Sequence, residues 1–271
     1  MTITTFSSKQ TIDKINTNFE NVKNLLKLYL KNPNDKNIHD LRKSIRRLNA
    51  AYYALPKKYR KNRPIKNYVN LGQDLFKSNS QIRDYDIFLE KMDGHNGFNK
   101  KNNPLKDKIQ QEKEFQLEIA KKIAQNLDRY DSPQIGTELD NANNKIQKRF
   151  QKVSKKLNDK IRKELGVVIK NERKKEKLHQ LRKDCKKLRY HLELISDQDK
   201  GVEKTVEQLD NIQDILGEIH DSDTTVGYLE QQKQSQTIKN FIEHESSHRS
   251  NKYNEFINQY KHYTEPNVSL I

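Results

Sequence analysis

The sequence predicts an all-α fold with eight helices, four in each half of the chain, and two observations support this prediction. Apolar side chains recur at intervals of three and four over stretches of roughly 20 to 30 residues, which is the spacing of an amphipathic helix. Eight glycines and six prolines in 271 residues leave few of the turns that an all-β fold needs. The predicted helices lie near 9–31, 36–55, 65–92, 105–130, 136–165, 172–196, 202–232 and 235–262.

Clusters of Gly, Pro, Asn and Asp mark the connections between these helices. The first helix shows the apolar period most clearly, through Ile12, Ile15, Phe19, Val22, Leu26 and Tyr29. The third and seventh helices are predicted to bend or break near Asn79 and Gly217. The segment 93–104, rich in Gly, Asn and Lys, is the one that we expect to be mobile.

The composition indicates a thin core and a large charged surface. Charged residues make up 33% of the chain, against a usual share of about 25%, which fits a bundle whose helices each bury one stripe. The net charge of +16 favours a polyanionic partner, which leaves nucleic acid, an anionic membrane and an inorganic phosphate chain open.

Several classes of protein do not fit the sequence. Cys185 is the single cysteine, so neither an internal disulfide nor a thiolate metal cluster is expected. The first residues lack the basic start and the apolar stretch of a signal peptide. The longest apolar runs are about four residues, too short to span a bilayer. We therefore expect a soluble, cytoplasmic protein without membrane insertion.

The strongest feature of the sequence is an internal repeat. Residues 38–55, IHDLRKSIRRLNAAYYAL, align with residues 178–195, LHQLRKDCKKLRYHLELI, at an offset of 140 residues. A second segment, IRDYD at 82–86 and IHDSD at 219–223, recurs after each copy. Asp84 follows His39 by 45 residues and Asp221 follows His179 by 42. The order and spacing predict a duplicated four-helix unit with pseudo-two-fold symmetry, its halves near 1–135 and 136–271 of a single domain over 1–271.

Each copy of the first segment has an apolar and a basic face when it is placed on a helix at about 100° per residue. The apolar faces comprise Ile38, Leu41, Ile45, Leu48, Tyr52 and Leu55 in one copy and Leu178, Leu181, Cys185, Leu188, Leu192 and Ile195 in the other. Cys185 is therefore expected to be buried and inert. The basic faces comprise His39, Arg42, Lys43, Arg46 and Arg47, and His179, Arg182, Lys183, Lys186 and Lys187, with Arg189 at the edge.

A charged face opposite an apolar one is by itself the ordinary solvated side of a helix. Solvated faces usually mix the signs of charge, because like charges four residues apart repel each other. Here each copy combines four cations with a histidine and offers no acid on the same arc. We therefore interpret the two basic faces as a binding site for a phosphate polyanion.

These motifs resemble the conserved histidine α-helical domain, or CHAD, family. The resemblance rests on His-x-Leu-Arg-Lys followed by a basic pair and Leu at 39–48 and 179–188, on KLRY at 187–190, on QDxLG at 213–217 leading to Asp221, and on IRD at 82–84. It covers nearly the whole chain. The two halves differ at Asn49, where the second half has Arg189, and at His220, where the first half has Arg83.

The resemblance implies two antiparallel, pseudo-symmetric four-helix bundles that face each other across a basic central groove or cavity. It also implies that this site binds inorganic polyphosphate without catalysis or cofactor, and that the protein associates with polyphosphate granules. The residues expected to bind polyphosphate are His39, Arg42, Lys43, Arg46, Arg47, Arg83, His179, Arg182, Lys183, Lys186, Lys187, Arg189, Tyr190 and His220. The Glu-x-Glu-x-Lys run of a CYTH triphosphatase does not precede the motifs, so a stand-alone CHAD protein is expected.

Four acids lie beside the predicted site and are expected to orient its Arg, Lys and His side chains. They are Asp84, Asp86, Asp221 and Asp223. Helix capping is the alternative role for them. No carboxylate cluster has the spacing of a Ca²⁺-binding loop, so no metal site is predicted.

Three other functions are alternatives. His39-Asp40 and His220-Asp221 look like the metal-binding doublet of HD-type phosphohydrolases, but the repeat has His-Gln at 179–180 and Arg-Asp at 83–84, so the doublet is not retained. Nucleic-acid binding is the second choice, because a row of cations does not distinguish phosphate backbones. Against it, the sequence has neither a zinc-finger spacing nor an RNA-binding aromatic platform. Peripheral membrane binding ranks lower, because the basic faces are expected to lie in the groove.

Overall fold

The described part of the chain, residues 6–98, 103–136 and 143–264 of a computed structural model, is helical and contains no strand. The prediction of an all-α fold is confirmed. The helices of these residues are α1 (Ser8–Lys31), α2 (Asp35–Ala54), the single turn α3 (Lys57–Arg60), α4 (Arg63–Asp93), α5 (Pro104–Asp128), α6 (Asn143–Val168), α7 (Lys175–Leu192), α8 (Lys200–Glu230) and α9 (Gln236–Tyr260). Short 3-10 turns follow at Asn96–Phe98 and Lys261–Thr264.

Six of the long helices, α1, α2, α4, α5, α8 and α9, begin at a side chain that accepts a hydrogen bond from an amide of the first turn. Asn34 accepts a hydrogen bond from the Asn37 amide at 2.9 Å, which starts α2. Asp199 accepts from the amides of Gly201 and Val202, which starts α8. The polar segments Asn-Pro-Asn-Asp at 32–35 and Asp-Gln-Asp-Lys-Gly at 197–201 thus determine where α2 and α8 begin.

Four long helices contact one another in a closed order in each half. In the first half, α1 contacts α2, α2 contacts α4, α4 contacts α5, and α5 contacts α1. In the second half, α6 contacts α7, α7 contacts α8, and α8 contacts α9, whose continuation at 261–264 contacts α6. The halves meet mainly through α2 against α7, with further contacts of α6 with α1 and α2 and of α4 with α8. The two helices that carry the first repeated segment therefore lie side by side.

The apolar faces predicted for α2 and α7 form the centre of the core. Tyr52 is half-buried, and the other eleven predicted apolar positions are buried. Gly72 on α4 lies against this face of α2, and a Cβ there would be in ordinary van der Waals contact with the Leu48 side chain at 3.7 Å. Each fully buried aliphatic side chain contributes roughly 1.5–3 kcal/mol to folding. The Cys185 thiol is fully buried, and burial raises its pKa far above the usual range.

The structure differs from the predictions at Asn79, at Gly217 and in the segment 93–104, and it contains the single turn α3, which was not predicted. Both α4 and α8 continue without a break through Asn79 and Gly217. The amide oxygen of Asn79 accepts a hydrogen bond from the Tyr29 hydroxyl at 3.1 Å, so this buried polar residue is accommodated inside the helix. Part of the segment predicted to be mobile packs on α9, where the Phe98 ring lies 5.3 Å from that of Phe241.

The rest of that segment, 99–102, and the predicted start of the fifth helix, 137–142, lie outside the described residues. Among the helices that are described, none has the length and the apolar content needed to cross a bilayer.

Candidate functional site

Cations from both repeats meet where α2 packs against α7. Arg42 and Arg46 lie on α2, and Arg182 and Lys186 lie on α7. The pKa of Lys186 is lowered to about 6, first by burial and then by the other three cations of this group. The pKa of Arg42 is lowered to about 10, again first by burial and then by neighbouring guanidinium groups. Because charges influence one another strongly only at short range, we treat the four side chains as one unit, the central basic cluster.

Two of the predicted acids lie beside this cluster, one from each half. Burial raises the pKa of Asp84 on α4 to about 6, against the opposing charges of Arg42 and Arg182. Burial also raises the pKa of Asp221 on α8, which Arg182 and Lys186 oppose. Asp84 thus faces a cation of each repeat, and the two acids offset part of the positive charge of the cluster.

Helix α4 holds the two arginines of α2 in place. The Arg42 guanidinium donates to the Ser80 hydroxyl at 2.8 Å and to the Phe76 carbonyl at 3.4 Å. It also lies over the Phe76 ring at 4.8 Å, and the Arg46 guanidinium lies over the same ring at 5.0 Å. Cation–π contacts of this kind fix the plane of a guanidinium without neutralising its charge. The contacts with Phe76 therefore position both arginines without pairing either of them with an acid.

Arg182 is less completely bonded than its first-half counterpart. Its Nε atom is buried and has no hydrogen-bond partner among the described residues. Its guanidinium packs on Gly217 of α8, where a Cβ would be 3.9 Å from Nη2. A buried donor without an acceptor costs roughly 1–3 kcal/mol, and an anion that reaches Nε would remove this cost.

The two histidines of the second half contact each other. His179 Nδ1 on α7 and His220 Nδ1 on α8 are 3.1 Å apart, and the ring centroids are 4.4 Å apart. The pKa of His220 is lowered to about 3, first by burial and then by Arg182 and His179. The pKa of His179 is lowered by burial and then by Lys183. At neutral pH both rings are therefore uncharged, and one nitrogen can donate to the other.

The first half has no equivalent histidine pair, because Arg83 stands where the second half has His220. The side chain of His39 is exposed overall, but its ring is partly removed from water, and this lowers its pKa. Asp40 raises the pKa, and the cations Arg83, Lys43 and Arg46 lower it further. His39 thus lies near cations of both α2 and α4.

Four residues of the predicted site are held in contacts apart from the cluster. Lys187 donates to Asp184 at 2.8 Å, on the side of α7 that faces α6. Arg47 donates to Glu193 at 2.8 Å. The remaining two, Arg189 and Tyr190, stack on each other at 4.6 Å, and Arg189 is also ion-paired with Asp210. Arg47 and Tyr190 line a separate polar pocket beside α1.

The other two predicted acids pair with cations of the outer helices. Asp86 forms an ion pair with Lys113 of α5, and Asp223 accepts from the Arg249 Nε of α9 at 2.7 Å. None of the four acids caps a helix, since all lie within α4 or α8. The capping alternative is therefore wrong.

Sequence reasoning missed Phe76, Ser80, Lys113 and Arg249. Each is joined to the predicted residues only by the packing of one helix on another, and none belongs to the repeated segments. The one available signal was Phe76, an aromatic residue two turns before Arg83 on the same predicted helix. Within the described residues, no three His, Cys, Asp or Glu side chains converge as a metal site would require.

Comparisons with known proteins agree with this architecture. The family model of the CHAD domain matches residues 14–230. The crystal structure of the CHAD domain from the plant Ricinus communis superposes on the chain with a TM-score of 0.64, covering 92% of this chain and 89% of that one at 13% identity. A comparison with curated protein sequences finds no match. Since the family model matches most of the sequence, the chain belongs to the CHAD-domain family.

Proposed function

We propose that the protein binds inorganic polyphosphate, without catalysis, in a basic groove centred on the central basic cluster. The observation that carries this proposal is the meeting of Arg42 and Arg46 with Arg182 and Lys186 at the contact of α2 with α7. Gathering four cationic side chains in a half-buried place destabilises the free protein, and the lowered pKa of Lys186, about 6, reflects this cost. A linear polyanion between the two helices removes this repulsion and binds cations of both repeats at once.

The chemistry of the cluster suits a chain of phosphates. Arginine offers a planar pair of donors that bridges two phosphate oxygens, and lysine offers a mobile point charge. Arg182 Nε is a buried donor that still lacks an acceptor among the described residues. The neutral His179 and His220 pair supplies a further donor at the edge of the cluster, and a bound polyanion raises the pKa of both rings.

The helix contacts support the proposed origin of the site by duplication. Helices α1, α2, α4 and α5 contact one another in the same order as α6, α7, α8 and α9. The repeated segments lie on the second and third long helices of each group. We infer two pseudo-symmetric four-helix bundles whose second helices line the groove from opposite sides.

The proposed location is the cytoplasm, at polyphosphate granules. Nucleic acid is the competing ligand, since its backbone offers the same phosphate oxygens. A titration of the protein with long-chain polyphosphate, followed by competition with single-stranded RNA and with duplex DNA, separates the two. We expect polyphosphate to displace both nucleic acids at equal phosphate concentration, and the reverse order would contradict the proposal.

A charge-removing variant tests the position of the site. Replacing Arg46, Arg182 and Lys186 by Gln should weaken polyphosphate binding about 100-fold or more, since charge-assisted hydrogen bonds contribute roughly 1.5–3 kcal/mol each. The matched control replaces three exposed lysines, Lys66, Lys204 and Lys239, by Gln. Equal losses in both variants would mean that net charge alone binds the ligand. Unchanged circular dichroism verifies that both variants are folded.

A further inference from the structure

Helix α6 carries an unusually one-sided charge outside the central basic cluster. Its sequence, NNKIQKRFQKVSKKLNDKIRKELGVV, has nine lysines and arginines and two acids. Arg149 is half-buried and the other eight cations are exposed to solvent. None of these residues belongs to the repeated segments, and the proposed function leaves their concentration on one helix unexplained.

Five of these lysines lie in a straight line along the helix. At about 100° and 1.5 Å per residue, they fall within an arc of roughly 80° and extend over about 27 Å. They are Lys145, Lys148, Lys152, Lys156 and Lys163, here called the α6 lysine row. Asp159 is the one acid in the same arc. Ile146, Phe150 and Ile161 are buried on the other side of the helix, so the row faces outward.

No lysine of the α6 lysine row has an acidic partner among the described residues. Among the described residues, the one ion pair of an α6 cation joins Lys160 to Asp184 of α7 at 4.0 Å. By contrast, four lysines of α5 pair with carboxylates, namely Lys106, Lys108, Lys113 and Lys121. Lysines three or four residues apart repel each other, so the row stabilises neither the helix nor the fold.

Helix α1 provides an internal comparison, because its position in the first half corresponds to that of α6 in the second half. It carries five lysines and two acids. Lys14 pairs with Asp197 at 3.0 Å and Lys23 pairs with Asp128 at 3.0 Å. Four of its lysines, Lys9, Lys23, Lys27 and Lys31, also lie within an arc of about 80°. Asp13 and Glu20 lie in the same arc, so the charge of this face of α1 is mixed, whereas the α6 lysine row includes one acid among five lysines.

Helix α7 lies between the central basic cluster and α6. Arg182 and Lys186 belong to the cluster, while the next residues, Lys183 and Lys187, are exposed. The carboxylate that holds Lys187 at 2.8 Å is also the partner of Lys160 on α6. Cationic side chains thus continue from the cluster over the exposed edge of α7 to α6.

We propose that the α6 lysine row is a second binding surface, which holds the part of a long polyphosphate chain that extends beyond the central basic cluster. This inference rests on the proposed function. Lysine ammonium groups act as mobile point charges without a fixed register, which suits a uniform chain of phosphates. Single-stranded nucleic acid is bound through aromatic stacking as well as charge, and Phe150, the one aromatic residue of α6, is buried.

The experiment compares two chain lengths and two variants. The row variant carries Lys145→Gln, Lys148→Gln, Lys152→Gln and Lys156→Gln. The control carries Lys66→Gln, Lys204→Gln, Lys233→Gln and Lys239→Gln, which removes the same charge from exposed sites outside α6. Calorimetric titrations use tripolyphosphate and long-chain polyphosphate at fixed salt, and a parallel titration uses duplex DNA.

We expect the row variant to lose long-chain affinity about tenfold or more, because four exposed charge contacts are removed. Its tripolyphosphate affinity should be unchanged. The control should lose much less of either. Equal long-chain losses in row variant and control overturn the inference, while tripolyphosphate binding to the wild type still supports the proposed function. A row variant that loses duplex DNA binding but keeps long-chain polyphosphate also overturns it and assigns the row to nucleic acid. If the wild type binds neither polyphosphate, both proposals fail together.

Discussion

Replacing Lys186 by Met should make the free protein more stable while it weakens polyphosphate binding. The ammonium group of Lys186 is largely buried and lies among other cations. Both effects lower its pKa, from the usual value near 10.5 to about 6. The unfolded chain binds this proton below about pH 10.5 and the folded chain only below about pH 6, so folding releases a proton between these values and stability rises with pH across this window. Met keeps an unbranched apolar stem in the same space.

The size of the effect follows from the two pKa values. The pKa of Lys186 in the unfolded chain lies about 3.5 units above pH 7. At about 1.36 kcal/mol per unit, this difference gives roughly 5 kcal/mol as an upper bound on the stability gained at pH 7. Lys186 keeps part of its side chain exposed, so solvent screening reduces the gain to about 1–3 kcal/mol. At roughly 2–4 °C per kcal/mol, the melting temperature should rise by several degrees.

Thermal unfolding followed by circular dichroism measures this gain. The matched control is Lys187→Met, which removes the neighbouring exposed lysine and its 2.8 Å bond to Asp184, and it should leave the melting temperature unchanged or lower it. The gain of Lys186→Met should shrink between pH 7 and pH 10, because the unfolded lysine then loses its proton too. A Lys186→Met variant that is folded but melts at or below the wild-type temperature would refute the reasoning.

Three further predictions follow from the charges and the burial of the site. Polyphosphate binding should take up protons and tighten from pH 8 to pH 6, because a polyanion raises the pKa values of Lys186, His179 and His220, which burial and neighbouring cations lower in the free protein. Calorimetry in two buffers of different ionisation enthalpy measures the proton uptake, and a pH-independent affinity contradicts the prediction. The logarithm of the affinity should fall linearly with the logarithm of the salt concentration as counterions are released, and a flat salt response means that ion pairing does not dominate. Cys185 should not react with a bulky thiol reagent in the native protein, since it is fully buried, and rapid labelling contradicts this.

Local periodicity was sufficient to predict the helices and their buried faces. Ile45 and Cys185 occupy equivalent positions of the two repeats, and both are fully buried. Side chains three and four residues apart share a helix face whatever packs against it, so the core positions of α2 and α7 follow from the sequence. The capping roles of Asn34 and Asp199 were not predicted, although each cap is a contact within three residues and depends on the local sequence alone.

The sequence predicted only in part which residues form the basic site. Arg46 and Arg47 are adjacent in sequence, yet Arg46 lies in the central basic cluster and Arg47 is bonded to Glu193. A helical wheel places them about 100° apart on the helix but does not say which neighbouring helix covers either side. The same limit applies to Lys186 and Lys187.

The contact partners that distant helices supply to the site residues could not be predicted from the sequence. The pairing of Asp223 with Arg249 and of Asp86 with Lys113 depends on how α9 and α5 pack on α8 and α4. The contact between His179 and His220 likewise depends on the packing of α7 against α8. Both histidines were predicted to bind the ligand, but no feature of the sequence indicates that their rings lie against each other.

The central claim is that one polyphosphate chain contacts cations of both repeats at the same place. The most direct measurement is a calorimetric titration of tripolyphosphate into the wild type, into the first-half variant Arg46→Gln and into the second-half variant Arg182→Gln. The account predicts one bound chain per protein and a loss of affinity in each variant, because both arginines belong to a single cluster. Two independent sites, of which each variant removes one and leaves the other intact, would contradict it.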